Sequence, residues 1–313
     1  MLTSKIGIIG AGNVGMRYAY SLIIHGLARS IVIVDMNKTR AEGDVLDLAS
    51  GMPYLSPVEI KAGDYRDLSG CDMVVITAGA KQKPGQSRMD LIKENTEIFK
   101  NIIPKITQYA KSAVFVVVAN PVDILAWVAF KLSGKPWNEV ISSGTVLDSA
   151  RLRFLLSQHC GVDARNIHAY ILGEHGDSEF AAWSKATIGG EFLKDRCLVC
   201  KKCNRQEELK KIFVDVRDYA SKVIERKGET SYGIGLALSR ITEAIIKDEN
   251  SVLPVSCLVQ DYYGISDIFM SLPAVVNKKG VREVLKIQLD EEEQKNLHIS
   301  ADVIKTAIKE TRL

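Results

Sequence analysis

The chain has 313 residues, of which 46% are hydrophobic and 25% charged, which is typical of a globular protein large enough for two domains. Its net charge is only +3, and the Lys and Arg residues are scattered, so a nucleic-acid partner is not expected and anionic small ligands fit better. No apolar run is long enough for a membrane span, and a strand-like run at residue 5 leaves no room for a signal peptide. We therefore expect a cytoplasmic protein without a membrane partner.

The six cysteines are too sparse for a disulfide scaffold, so free thiols are expected. Cys197, Cys200 and Cys203 have the spacing of an iron–sulfur ligand run, but the fourth cysteine of such a run is absent. No second cysteine pair or nearby histidine completes a zinc site either. We expect no metal here, and interpret the segment as an oxidation-prone loop.

The N-terminal segment predicts a dinucleotide site. A buried strand at residues 5–9 leads into the glycine-rich turn 10–15, then into a helix at 16–25 and a second strand at 31–34 that ends on Asp35. The glycines allow the backbone to approach a pyrophosphate, which the helix N-terminus faces. Asp35 can accept hydrogen bonds from a ribose diol and would repel a 2′-phosphate, which favours NAD over NADP.

Strand and helix signals then alternate, with strands at 59–62, 73–77, 113–118 and 140–141, and helices at 38–49 and 89–109. This order predicts an α/β protein with a Rossmann-type doubly wound parallel sheet. The second half predicts an α+β domain that covers a small pocket, with a hairpin at 187–191, helices at 207–227, 231–247 and 291–308, and strands at 252–260 and 268–272. We predict an NAD-binding domain over 1–142 and a substrate domain over 143–313.

The ligand crevice of such a sheet lies at the carboxyl ends of its strands, so the residues that follow each strand are candidates for ligand binding. A glycine-hinged loop at 78–88 follows one strand and is a lid candidate that would deliver Arg88 to the pocket. Asn120 follows the next strand and can donate its amide to a carbonyl or ribose oxygen, although simple turn chemistry is the alternative.

Two further segments suggest a catalytic group. Asp148 and Arg151 share one face of a predicted helix, although a solvated ion pair is the commoner reading of such a pair. His175 stands between Gly173 and Gly176 after an apolar run. If these side chains meet, the histidine can protonate the alkoxide formed by hydride transfer to a ketone, while the aspartate orients its ring. The arginine would bind a substrate carboxylate, and Arg88 would polarise the carbonyl.

These residues stand in motifs that resemble the L-lactate and malate dehydrogenases over essentially the whole chain. The motifs are residues 10–15, 77–80, 120–123, 148–151 and 173–177. The resemblance implies His175 as proton donor and acceptor, Asp148 as its partner, Arg151 and Arg88 as substrate arginines, Asn120 as a carbonyl-orienting group and Thr230 beside the substrate. The NAD-binding residues that it implies are Gly10, Gly12, Asn13, Val14, Gly15, Asp35, Thr77, Ala78, Gly79, Asn120 and Ile234.

Substrate choice is predicted from Gln82. By the same resemblance, the malate branch has an arginine at this position, which pairs with the second carboxylate of oxaloacetate. A neutral glutamine matches the lactate branch and pyruvate. The resemblance thus implies interconversion of pyruvate and L-lactate, the last step of fermentative glycolysis. Lys81 and Lys83 could rescue a dicarboxylate, so malate dehydrogenase or another L-2-hydroxy acid dehydrogenase remains the alternative.

Arg153 and His168 match the positions at which bacterial lactate dehydrogenases bind fructose 1,6-bisphosphate across a subunit interface. The resemblance therefore implies an allosteric enzyme and a homo-oligomer, with a tetramer expected. The alternative for these two residues is a buried arginine and a core histidine. A more distant alternative for the whole chain is a non-enzymatic, NAD-binding redox sensor that works through Cys197, Cys200 and Cys203.

Overall fold

The computed structural model describes residues 4–81, 87–193 and 205–313. Gln82, Lys83, Cys197, Cys200 and Cys203 lie outside these residues, and so do Pro84, Gly85 and Gln86 of the predicted lid loop. Of the cysteines that the structure does describe, Cys71 and Cys257 are buried free thiols, as expected, and Cys160 is buried as well. Within the described ranges, no helix combines the length and apolar character needed to cross a bilayer.

The first half of the chain alternates strands and helices as predicted. Its strands are β1 (Lys5–Ile9), β2 (Ser30–Val34), β3 (Glu59–Ala62), β4 (Met73–Ile76), β5 (Val114–Val117) and β6 (Val140–Ser142), and its helices are α1 (Asn13–His25), α2 (Lys38–Ser50), α3 (Arg88–Tyr109) and α4 (Val122–Ser133). Helix α4 was not predicted. Apart from Asp123, Lys131 and Ser133 its residues are apolar or small, and most are buried, so no helical periodicity shows in the sequence.

The second half is mixed. Its helices are α5 (Val146–Cys160), α6 (Arg205–Arg217), α7 (Tyr219–Lys227), α8 (Tyr232–Ile246) and α9 (Glu291–Lys309); its strands are β7 (Ile167–His168), β8 (Ile171–Leu172), β9 (Phe180–Ala181), β10 (Thr187–Ile188), β11 (Glu191–Phe192), β12 (Ser251–Leu253), β13 (Ser256–Val259), β14 (Ile268–Ser271), β15 (Ala274–Asn277) and β16 (Gly280–Val284). The predicted hairpin is present as β10 and β11.

Two predictions for this half were wrong in detail, and one pair of strands was missed. The single helix predicted over 207–227 is two helices, because the chain breaks at Asp218 between α6 and α7. The single strand predicted over 252–260 is divided into β12 and β13 at Pro254, whose ring removes a backbone donor. Strands β15 and β16, which form an antiparallel pair, were not predicted.

Among the described residues, the main sheet has eight strands in the order β14-β13-β6-β5-β4-β1-β2-β3. Strands β1 to β6 are parallel, and β13 and β14 extend their edge in antiparallel fashion, beginning with Ser256 opposite Ser142. Strands from both sides of residue 142 therefore belong to one sheet, and the division into domains 1–142 and 143–313 stays a prediction. The halves also meet where α8 packs on α1, with a 2.6 Å hydrogen bond between the Tyr18 and Thr242 hydroxyls.

Candidate active site

The glycine-rich turn connects β1 to α1 with little space between neighbouring backbones. Gly10 has φ +108°, and a Cβ atom on Gly15 would lie 2.0 Å from the Gly10 carbonyl oxygen. The Thr77 hydroxyl closes the turn from the end of β4, donating to the Ile9 or Gly10 carbonyl at 3.0 Å. A Cβ atom on Gly12 would meet nothing within 4 Å, so this side of the turn is open to a ligand.

Asp35, at the end of β2, lies beside this open turn. One of its carboxylate oxygens accepts the Ala11 N–H at 2.6 Å and the other accepts the Asn37 N–H at 2.8 Å. The turn therefore combines a bare glycine backbone, the N-terminus of α1 and a fixed carboxylate, which suits a pyrophosphate and a ribose diol. The Asn13 amide, in the first turn of α1, donates to Glu229 from the second half of the chain.

Asn95, in α3, joins the ends of two neighbouring strands. Its side-chain oxygen accepts the Ala80 N–H at 2.6 Å, and its amide nitrogen donates to the Asn120 carbonyl at 2.8 Å. It thereby fixes the segment of Ala78 and Gly79 and leaves the Asn120 side chain exposed at the end of β5. Sequence reasoning missed Asn95, because an asparagine inside a long helix is usually a surface residue.

His175, Asp148 and Arg151 come together as the sequence suggested. The His175 Nδ1 hydrogen-bonds to one oxygen of Asp148 at 2.7 Å, and Arg151 donates to the other oxygen at 2.8 Å. Asp148 is 2% exposed and the Arg151 side chain 11% exposed. The alternative of a solvated surface ion pair is therefore wrong, and the prediction that both residues share one face of α5 is confirmed.

The electrostatics of this group favour a charged imidazole. Burial lowers the pKa of His175, but the adjacent Asp148 carboxylate outweighs burial, and the pKa is raised to about 9. The pKa of Asp148 is lowered in turn, since His175 and Arg151 together overcome the effect of its own burial. At neutral pH the pair is thus an imidazolium next to a carboxylate.

The backbone of His175 is held from α4. Its N–H donates to the Asp123 carboxylate at 2.8 Å, and burial raises the pKa of that fully enclosed carboxyl group. Asp123 was quoted in a sequence motif but was given no role, because only the fold shows that α4 lies against the histidine.

Arg88, the first residue of α3, pairs with the buried Glu174. The Ser178 hydroxyl also donates to Glu174, at 2.5 Å, and the Glu174 N–H donates to the Ser300 hydroxyl of α9 at 2.6 Å. The residue before the histidine therefore brings Arg88 to the same site. Glu174 too was only quoted in a motif, since nothing in the sequence indicates its partner.

A cavity of about 840 Å³ lies between α5, α7 and α8. Arg151 and Thr230 line it, and so do Arg153 and His168. Arg153 donates to the Ala164 carbonyl at 3.0 Å, and His168 is exposed on β7, so the alternative of a core histidine is wrong. The structure thus places Arg151 and Thr230 in the lining of the same cavity as Arg153 and His168. Ile234, near the start of α8, is partly buried and packs against the N-terminal core.

The sequence matches the family model for the NAD binding domain of lactate/malate dehydrogenase over residues 4–142, and the model for its alpha/beta C-terminal domain over residues 145–312. The chain belongs to the lactate/malate dehydrogenase family. This membership makes it an enzyme, an oxidoreductase whose cofactor is NAD, and the open glycine turn beside Asp35 fits that cofactor.

Relatives within the family are similar over their full length. The L-lactate dehydrogenase of Thermoanaerobacter sp. (strain X514) is 50% identical over 98% of this chain and 99% of its own, and that of Acetivibrio thermocellus is 50% identical over 97% and 96%. A solved lactate dehydrogenase from a Medee basin deep-sea metagenome library is 43% identical, with a TM-score of 0.95 and complete coverage of both chains. The minor L-lactate dehydrogenase of Enterococcus mundtii is 38% identical, with a TM-score of 0.94 over 99% of this chain and 98% of that one.

Proposed function

We propose that this chain is an NAD-dependent L-lactate dehydrogenase that interconverts pyruvate and L-lactate in the cytoplasm, as the last step of fermentative glycolysis. The observation that carries the proposal is the contact of His175 and Arg151 with the buried Asp148, whose one carboxylate holds both a proton donor and an anion-binding guanidinium. The names of the full-length relatives support the same activity.

The proposed proton transfer depends on which nitrogen of His175 is not already hydrogen-bonded to Asp148. NAD, when bound in reduced form, supplies the hydride for the keto carbon of the substrate. Since the Nδ1 of His175 is engaged by Asp148, its Nε2–H is free to donate a proton to the substrate oxygen as negative charge develops there. Asp148 stabilises the imidazolium before the transfer, and in lactate oxidation it stabilises the imidazolium that forms.

Two arginines complete the proposed substrate site. Arg151 has a planar fork, of which one nitrogen binds Asp148, so its remaining donors can bind the substrate carboxylate. Arg88, held by Glu174, brings a second positive charge with which to polarise the keto oxygen. Asn120 and Thr230 are proposed as further substrate contacts. Asn120 is exposed after the end of β5, and Thr230 lines the same cavity as Arg151.

The substrate is proposed to be pyruvate because Gln82 offers no charge to a second carboxylate. Lys81, which could have supplied that charge, is 81% exposed and lies 3.9 Å from Glu229. The test is turnover of pyruvate and of oxaloacetate with NADH. We expect pyruvate to be preferred by the native chain and oxaloacetate by Gln82→Arg, because an unpaired buried carboxylate costs several kcal/mol. An unchanged preference in the variant would remove Gln82 from substrate selection.

We further propose that the enzyme is a homo-oligomer, with a tetramer as the expected form, and that fructose 1,6-bisphosphate is its effector. Arg153 and His168 support an anion site, and the same cavity exposes the apolar side chains of Phe154, Tyr232 and Leu236, which suits a subunit interface. Repeating the substrate panel with and without the bisphosphate tests the effector. A flat response of the apparent pyruvate affinity would argue against it.

A further inference from the structure

A further acidic residue, Glu179, lies next to His175 and Asp148. It is 7% exposed, and its carboxylate lies in a cluster in which one ligand atom each from Asp148, His175 and Glu179 are all within 4.8 Å of one another. Within residues 4–81, 87–193 and 205–313, no hydrogen bond or ion pair reaches the Glu179 carboxyl group. The mechanism proposed above gives this residue no part.

The cluster holds two buried carboxyl groups that differ in their partners. Asp148 has a cationic partner on each oxygen, at 2.7 and 2.8 Å, whereas Glu179 has none among the described residues. Two carboxylates this close repel each other strongly when both are ionised, so one of them keeps its proton. Because Asp148 is the better stabilised anion, the proton stays on Glu179.

The surroundings of Glu179 shift its pKa in both directions. Burial is the main cause that raises its pKa, to about 8, and Asp148 of α5 adds to this effect. His175, Arg151 of α5 and Arg217 of α6 partly oppose it. Ionisation of Glu179 thus falls in the same pH range in which His175 begins to lose its proton.

We propose that Glu179 is a positioning residue for the proton of His175: it is neutral while the keto acid binds at neutral pH, and as a carboxylate at alkaline pH it keeps His175 protonated. This inference rests on the proposed function, since the protonated His175 is the donor to pyruvate. A neutral Glu179 leaves the positive charge of His175 and Arg151 available to the substrate anion. An ionised Glu179 extends the pH range over which the imidazolium survives.

Glu179→Gln tests the proposal because it keeps the shape of the protonated acid and cannot ionise. At pH 7 we expect kcat/KM for pyruvate to stay within about twofold of the native value, because Glu179 is already neutral there. At alkaline pH we expect the loss of activity to begin about one pH unit earlier, since the nearby negative charge is missing. A purely structural role would lower activity equally at every pH.

Asp177→Asn is the matched control, since it removes an acid two residues from both His175 and Glu179 that is exposed and screened by solvent. We expect its pH profile to match the native one. Glu179→Leu, which also cannot ionise, should shift the alkaline edge as Glu179→Gln does. The proposal is overturned if the alkaline edge of both Glu179 variants coincides with that of the native chain.

A second measurement needs no substrate. Diethyl pyrocarbonate modifies the neutral imidazole only, so the pH dependence of modification of the His175 peptide, followed by mass spectrometry, reports the protonation of this side chain. We expect modification in Glu179→Gln to begin at lower pH than in the native chain, and equal profiles would contradict the inference. Failure of the native chain to reduce pyruvate would instead contradict the proposed function, and the two failures are therefore distinguishable.

Discussion

Asp148 shows how one buried carboxylate can organise two cationic side chains. Each of its oxygens has one cationic partner, His175 or Arg151, so neither partner can turn without leaving a buried charge unpaired. The distance between the two partners is thereby set by the width of a carboxylate. In the function proposed here, this spacing would bring the proton donor and the anion-binding group to the adjacent carbonyl and carboxylate groups of a small keto acid.

We expect Asp148→Asn to lower kcat/KM for pyruvate by about 10²- to 10⁴-fold, because a neutral amide cannot stabilise the imidazolium. Since the Asp148 charge holds the pKa of His175 at about 9, the remaining activity should be lost at lower pH than in the native enzyme. Initial rates between about pH 5.5 and 10 measure both effects. Asp163→Asn, which removes an exposed acid paired with Arg165, is the control. A full rate with an unshifted profile in Asp148→Asn would contradict the role proposed for Asp148.

At the scale of single elements, the sequence predicted those parts of the fold that carry their own pattern. Strands β1 to β6 are short runs, most of them rich in apolar residues, that helices or turns separate, and all six were predicted. Helix α4 was missed because burial on nearly all sides removes periodicity, and the break at Asp218 was missed because α6 and α7 each look amphipathic. A hydrophobic pattern in the sequence shows which side chains of an element are buried and which are exposed. It therefore gives no signal for a helix whose side chains are nearly all buried.

The residues of the candidate site likewise include some that were predicted from the sequence and some that were missed. The predicted meeting of Asp148, Arg151 and His175 is confirmed, since helical spacing and family motifs both point to it. Asn95 and Glu179 were not identified, although both are buried beside the site. Their contacts are made between elements whose relative placement is a tertiary property, and no local pattern in the chain encodes it.

The glycine turn gives a test at the element scale. A Cβ atom on Gly15 would lie 2.0 Å from the Gly10 carbonyl, so Gly15→Ala must separate α1 from β1. We expect loss of about 1–3 kcal/mol of stability and weaker NADH binding, measured by thermal unfolding and by fluorescence titration. Gly43→Ala is the matched control, because Gly43 lies inside α2 with nothing within 4 Å of the new Cβ atom. It should stabilise the chain by about 0.5–1 kcal/mol and leave NADH binding unchanged. Equal NADH binding in both variants would show that the turn tolerates a side chain.

On the scale of the whole molecule, the proposed catalytic group is assembled from several elements. Asp148 lies on α5, Asp123 holds the histidine backbone from α4, and Ser300 of α9 accepts the Glu174 N–H. The charges of the site therefore act on the stability of the entire fold, because unfolding releases all of them to solvent at once.

We expect the free energy of unfolding to fall as pH rises from about 5 to 9. Burial raises the pKa of Glu179 from its ordinary value of 4.5 to about 8, and the Asp148 carboxylate, against the effect of burial, raises the pKa of His175 from 6.5 to about 9. The folded state therefore holds more protons than the unfolded state over these pH ranges. The stability that these two groups contribute is fully present below the pKa of the unfolded state, and it is lost as pH rises through the pKa of the folded state.

Urea unfolding at a series of pH values measures this decline in the free energy of unfolding. Glu179→Gln should flatten the part of this decline between about pH 4.5 and 8, while Asp177→Asn should not. Parallel curves for the native chain and Glu179→Gln would show that Glu179 titrates normally.

The continuation of the parallel sheet into β13 and β14 has a practical consequence for protein engineering. Ser142 is followed within a few residues by α5, yet its strand neighbour is Ser256, and α4 packs against β14. A chimera that exchanges the segment after residue 142 with that of a relative would join halves whose hydrogen-bonded edges evolved separately. Recombination should therefore carry β6, β13, β14 and α4 as one inherited block, even though these segments are far apart along the chain.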